Sequence, residues 1–215
     1  MKEAYFSLET IQTKALEMLQ KSGADLRRNN FQYIPERSAL LVLDMQTYFL
    51  ESTSHAYIPS GRAIIPGIRD LILAFSIRRL PVIFTRHLNT SQDVGLMATW
   101  WRDIITAENP KSEIIPELDL SAGIVLEKSQ YDAFYQSPLE YILRNRAVSQ
   151  VVISGVMTHL CCETTARCAF VRGFEVFFLV DGTATYNEQF HQASLLNLSH
   201  GFASLMLAKD ILTNL

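Results

Sequence analysis

Three kinds of side chain that could carry acyl-transfer chemistry stand at or just beyond the ends of apolar runs in this sequence. Asp44 follows "ALLVL", Lys128 closes "GIVLEK", and the segment "GVMTHLCCETTARCAF", residues 155–170, holds all three cysteines, Cys161, Cys162 and Cys168. A carboxylate within hydrogen-bond reach can take a thiol proton and later activate water. A nearby ammonium keeps that carboxylate ionised and lowers the pKa of the thiol. Taken singly, each residue has a plainer reading: an Asp after a buried strand caps a turn or helix, and a Lys at a strand end is solvated. Their joint placement is what points to chemistry.

The cysteine segment is predicted to run from a strand ending at Gly155 into a helix from about His159 to Arg172, stopped at Gly173. A thiol in the first turn of a helix sits against unpaired N–H groups and the positive end of the dipole, which favours thiolate. Cys161 and Cys162 both qualify, whereas Cys168 is two turns further on and reads as core packing. Neighbouring helical positions differ by about 100° in direction, so only one of the pair faces a site squarely. Periodicity leaves that choice open.

The elements that must position these groups follow a repeating pattern. "ALLVLDM", "PVIFTRH", "GIVLEK", "SQVVISG", "FEVFFLVDG" and "FASLMLA" read as six buried strands, mostly separated by helical segments. Alternation of this kind predicts an α/β fold of three layers, α/β/α, around a six-stranded, mostly parallel sheet. Ligands of such sheets bind beyond the carboxyl ends of the strands, and Asp44, Lys128 and the cysteines all lie there. The stretch from Leu88 to Ala122 is an excursion over one end of the sheet. Residues 1–33 are expected to form an amphipathic helix, with Leu8, Ile11, Ala15 and Leu19 on its stripe, and a polar link; residues 34–215 are expected to form the main α/β domain.

At 215 residues, 48% hydrophobic and 19% charged, the chain can bury a sizeable core as one main domain. A net charge of -3 offers no basic stripe for nucleic acid, and the apolar runs are too short for a bilayer, so neither is an expected partner. The first residues lack the apolar core of a secretion signal and the cysteine count is odd, which predicts a reducing, cytoplasmic location.

"LLVLDMQTYF", "LEKSQYDAFYQSPLE" and "VVISGVMTHLCCETTARCAFVRGFEVFFLVDGTA", in that order, resemble the isochorismatase-like cysteine hydrolases, from about Ala39 to the end. In that family's pattern Gly-Val-x-Thr-x-x-Cys the last residue is the nucleophile. The resemblance therefore selects Cys161 over Cys162 and implies an Asp44-Lys128-Cys161 triad on a Rossmann-like fold. It also implies a cis peptide between Val156 and Met157, with the N–H groups of Met157 and Cys161 forming an oxyanion hole.

Metal-binding relatives carry an Asp-x-His and a further His after the second strand. Here "TRHLNTSQDVGL" supplies only His87, so neither metal nor other cofactor is expected. His55, His191 and His200 read as packing or surface residues, and His159 has no assigned role. The family's isochorismatases share "SPLE" and a Trp in the excursion, but have glycine in place of Cys161 and cleave a vinyl ether with the aspartate as acid. The thiol thus predicts hydrolysis of a small amide or carbamoyl compound, with vinyl-ether cleavage or a non-catalytic binding protein as the alternatives. Trp100, Trp101, Tyr131 and Phe134 are expected to wall the substrate pocket, and Arg86 to hold a carboxylate. Relatives commonly assemble, so a homo-oligomer is expected.

Overall fold

The computed structural model describes residues 1–24 and 31–215; residues 25–30 of the polar link fall outside the described residues. The six strands are β1 Ser38–Leu43, β2 Val82–His87, β3 Ile124–Lys128, β4 Gln150–Val156, β5 Glu175–Ala184 and β6 Ser204–Met206. They form one sheet in the order β3-β2-β1-β4-β5-β6, with every pair parallel. β1 and β4 are buried along their whole length, as unbroken apolar runs require when both faces are covered. At the edge, β3 exposes Val125 and Glu127.

The helices are α1 Ile11–Lys21, α2 Thr47–Leu50, α3 Ile65–Ile77, α4 Met97–Trp100, α5 Leu139–Asn145, α6 Glu163–Val171, α7 Glu188–Gly201 and α8 Ala208–Asn214. Right-handed crossovers that run outward from β1 in one direction and from β4 in the other put helices on both faces of the sheet. Accordingly α3 packs with α8, while α1, α6 and α7 pack with β5 and α7 touches both other helices. The stripe of α1 is Ile11, Ala15 and Met18, all buried on its own domain, while Leu8 is 64% exposed. That apolar face is therefore satisfied within the chain.

Strand order reverses between β1 and β4, which opens a crevice at their carboxyl ends. Two backbone features mark it. Gly155 has φ +110°, and a Cβ there would lie 2.1 Å from the Leu43 carbonyl oxygen, so only glycine lets the strands approach so closely. Asp44, at the mouth of the crevice, has φ 51°, a left-handed conformation that Asp tolerates better than most residues. The excursion crosses this end of the sheet, tied down by Asn89 N–H to Ile105 O (2.6 Å) and by a bridge between Gln46 and Ile114.

The cysteine segment departs from the expected continuous α-helix. Residues Thr158–Cys162 form a π-helical turn, in which the Cys162 N–H reaches the Met157 carbonyl (3.2 Å), and α6 begins only at Glu163. The Val156–Met157 peptide is cis.

Candidate active site

Three elements deliver the site. Asp44 leaves β1, Lys128 ends β3, and Cys161 sits in the π-turn after β4. Lys128 is 4% exposed and Asp44 fully buried, which removes the solvated reading of the lysine. Its ammonium is 2.8 Å from Asp44 Oδ2, donates to the Gln130 carbonyl (2.8 Å), and approaches His87 Nδ1 at 3.3 Å and Cys161 Sγ at 3.5 Å. The other carboxylate oxygen, Oδ1, accepts from Thr85 Oγ1 at 2.7 Å. Oδ2 takes no well-aligned hydrogen bond among the described residues, so it faces Lys128 as an ion and keeps capacity for a proton. Gln46 ties the ends of β1 and β2 together: its Oε1 accepts from the His87 N–H, and its Nε2 donates to the His87 and Ser112 carbonyls.

Burial and charge oppose one another here. Desolvation, the largest single influence, pushes the Asp44 carboxyl up, but the Lys128 ammonium together with His87 and the Cys161 thiol outweighs it and holds Asp44 below the usual carboxylate range. Burial lowers Lys128, and Asp44 and Cys161 together more than reverse this, so Asp44 and Lys128 form an ionised pair. The expectation of a ready thiolate is overturned. Burial pushes the Cys161 thiol up to about 12, Asp44 adds to the rise, and the Lys128 charge offsets only part of it. The resting thiol is neutral, and its proton must leave as it reacts.

Cys161 opens onto a cavity of about 140 Å³ whose walls are mostly apolar, among them Phe49, Met97, Trp101, Ile105, Leu160 and Tyr186. Trp101 Nε1 donates to the Tyr131 hydroxyl at 2.7 Å, which fixes both rings in that wall. At the rim His55 pairs with Asp103 at 3.2 Å.

The fold agrees with what the chain is similar to. Residues 38–210 match the family model of the Isochorismatase domain. The chain belongs to the isochorismatase family. It is 40% identical over 177 residues to Nicotinamidase 3 of Arabidopsis thaliana, covering 79% of this chain and 84% of that one. It is 29% identical to Enterobactin synthase component B of Escherichia coli, covering 83% of this chain and 63% of the relative's length. Among solved structures, a cysteine hydrolase from Pseudomonas syringae pv. phaseolicola superposes with a TM-score of 0.82 at 26% identity, over 86% of this chain and 95% of that one. The protein is thus a member of a hydrolase family.

Within this isochorismatase-family site, the structure sorts the substrate contacts expected from sequence. Trp101 and Tyr131 line the cavity. Arg86 does not reach it. Residues alternate across β2, so Thr85 and His87 face Asp44 and Lys128 while Arg86 points the other way, to Ser112, Glu113 and Glu127. Phe134 is also outside, stacked on Phe174 at 5.8 Å beneath the Arg172 guanidinium. Trp100 is 78% exposed on α4 and turned away from the walls.

His87 was legible as a member of the site from the same alternation, since it shares a side of β2 with Thr85. Burial drops its pKa to about 4, so the ring is neutral: Nδ1 accepts from Lys128 and Nε2 donates to Asn89 Oδ1 at 3.0 Å. Tyr186, just beyond β5, lies on the same rim and escaped the sequence reading. The ligand atoms of Asp44, His87 and Cys161 lie within 4.8 Å of one another, a spacing that a metal could bridge. The Lys128 ammonium already sits in contact with all three, and both His87 nitrogens are engaged, so this donor set does not fit a cation. Turnover is expected to survive exhaustive chelation; metal-dependent loss and recovery of activity would contradict that assignment.

Proposed function

We propose that this protein hydrolyses the C–N bond of a small, neutral amide or carbamoyl compound, with Cys161 as nucleophile. The observation that carries the reading is a thiol beside an ionised Asp44-Lys128 pair at the floor of an apolar cavity. Burial raises the thiol pKa, so in this reading the proton leaves sulfur as it attacks. Sγ bonds to the carbonyl carbon as its proton passes to Asp44, and negative charge collects on the carbonyl oxygen. The N–H groups of Met157 and Cys161 are the assigned donors to that oxygen. In support, Leu160 and Cys162 both donate to the Met157 carbonyl, at 3.1 and 3.2 Å, and Cys161 does not. Asp44 then returns the proton to the departing amine, leaving a thioester. Water, losing a proton to Asp44, attacks the thioester carbonyl and releases the acid, and the proton goes back to sulfur. Lys128 keeps Asp44 ionised whenever it must act as base. The similarity to Nicotinamidase 3 and to a cysteine hydrolase supports the same reading.

The second reading, cleavage of a vinyl ether, is favoured by the similarity to an Isochorismatase of Bacillus subtilis, 27% identical over 179 residues, and needs Asp44 as an acid. The pH profile separates the two. Asp44 is held below the usual range, so a base is competent from acid pH upward: kcat/KM should rise through the lowered Asp44 pKa and stay flat from about pH 5 to about pH 9. An acid of the same pKa would lose activity over that climb. A homo-oligomer belongs to the proposal as well.

A further inference from the structure

The N-terminal segment lies wholly outside the span that matches the family, yet it is seated against the loop after β5 and against α7, which border the cysteine turn. Tyr5 and Phe6 are 4% and 2% exposed. The Tyr5 hydroxyl accepts from the Thr185 N–H at 2.9 Å and donates to His191 Nδ1 at 2.8 Å. Each partner leads to the turn. Thr185 Oγ1 is 2.6 Å from Nδ1 of His159, whose ring is stacked on Phe190 at 4.5 Å, and His191 Nδ1 is 3.5 Å from Thr158 Oγ1. Burial pushes His191 down to about 3 and His159 to about 4, so both rings are neutral and their nitrogens are specific donors and acceptors.

Around this centre the segment clasps the loop between β5 and α7. Glu3 N–H donates to the Tyr186 carbonyl (2.8 Å), the Glu3 carboxylate accepts the Glu188 N–H at the start of α7 (2.7 Å), and Asn187 Nδ2 donates to the Met1 carbonyl (3.0 Å). Lys2 bonds the His55 carbonyl and lies 4.5 Å over the Tyr186 ring, joining two walls of the cavity. Phe6 N–H reaches Ser60 Oγ at 3.0 Å.

We infer that residues 1–6 are a positioning element of the Cys161 site, with Tyr5 as the residue that fixes the turn Thr158–Cys162 through Thr185, His159 and His191. This rests on the reading of Cys161 as nucleophile. It also gives His159 a role, as the link between the loop after β5 and the turn. A turn displaced by a fraction of an ångström misaims both the sulfur and the N–H groups assigned to the oxyanion, which lowers kcat more than substrate affinity.

The test is Tyr5→Phe in the full chain, which keeps the ring packing against Phe6 and His191 and removes only the hydroxyl. It strands the buried Thr185 N–H and His191 Nδ1. The expected result is a fall in kcat of about tenfold with KM within about twofold, and an equal fall in the rate of Cys161 alkylation by iodoacetamide. Lys14→Gln, which breaks a half-exposed pair with Glu188, should leave both unchanged. Glu3→Ala, at an exposed position that cannot collapse the core, should move both in the same direction by about twofold to threefold. Wild-type kcat and alkylation in folded Tyr5→Phe would overturn the inference; if that variant does not fold, wild-type values in Glu3→Ala would do so. Alkylation needs no substrate, so a failure of amide hydrolysis in the wild-type protein would refute the proposed activity and leave this test standing.

Discussion

Cys161→Ala is expected to lose hydrolysis by about 10⁴-fold or more, because the covalent route has no substitute nucleophile in reach. Cys162 cannot take over: it is fully buried in the core cluster, with a thiol pushed well above its ordinary value by burial. Cys168 is on α6, beyond the turn. Cys162→Ala should therefore keep kcat, at a cost of about 1 kcal/mol in stability for a small core group removed. Cys161 faces a cavity rather than packed core, so Cys161→Ala should leave the urea midpoint close to wild type. A folded Cys161→Ala protein that still turns over an amide, or a dead Cys162→Ala protein, reverses the assignment.

Lys128→Met should be the most damaging change at the site, for stability and activity together. It leaves the Asp44 carboxylate buried without its counter-charge, which costs about 3–5 kcal/mol at neutral pH. The pH dependence should change sign. In the wild-type protein the Asp44 pKa is lowered on folding, so its stabilising contribution is present above its unfolded pKa and is lost as pH falls through the folded value. The Lys128 pKa is raised on folding, so its contribution is complete below its unfolded pKa and is lost as pH rises through the folded value. Between the two the pair is fully stabilising. In Lys128→Met desolvation acts on Asp44 without the Lys128 charge that opposed it, which raises its pKa, and the variant should become more stable as the pH is lowered from neutrality. Urea denaturation at several pH values reads this directly; parallel stability profiles for the two proteins would contradict the ion pair. Activity should fall by at least about 10³-fold, since a protonated Asp44 cannot accept the thiol proton.

What the sequence disclosed followed from local rules. Strands such as "ALLVLDM" and "SQVVISG" are continuous apolar runs and could be placed to within two or three residues; the rim rule puts Asp44, Lys128 and the cysteine segment at the carboxyl ends of the strands, and the family resemblance selects Cys161. The misses came from orientation and from long-range partners. Arg86 and His87 are adjacent, and only the pleat decides which of them faces the site. Phe134 and Trp101 are both aromatic residues near the rim, but Phe134 is held by Phe174 and Arg172, partners forty residues or so along the chain. The thiol pKa departs from the sequence expectation because a helix start speaks for thiolate, whereas full burial beside an ionised carboxylate speaks against it. The seat of Tyr5 on Thr185 and His191 joins residues about 180 positions apart, and no local pattern encodes it.

The central claim is that sulfur carries the acyl group, and rapid acid quenching during turnover of a small amide, followed by mass spectrometry of the peptide containing Cys161, tests it most directly. The account predicts an adduct with the mass of the substrate's acyl group on Cys161 and none on Cys162, formed as fast as the first equivalent of amine is released. Steady turnover of the amide with Cys161 unmodified at every quench time, persisting in Cys161→Gly, would contradict it.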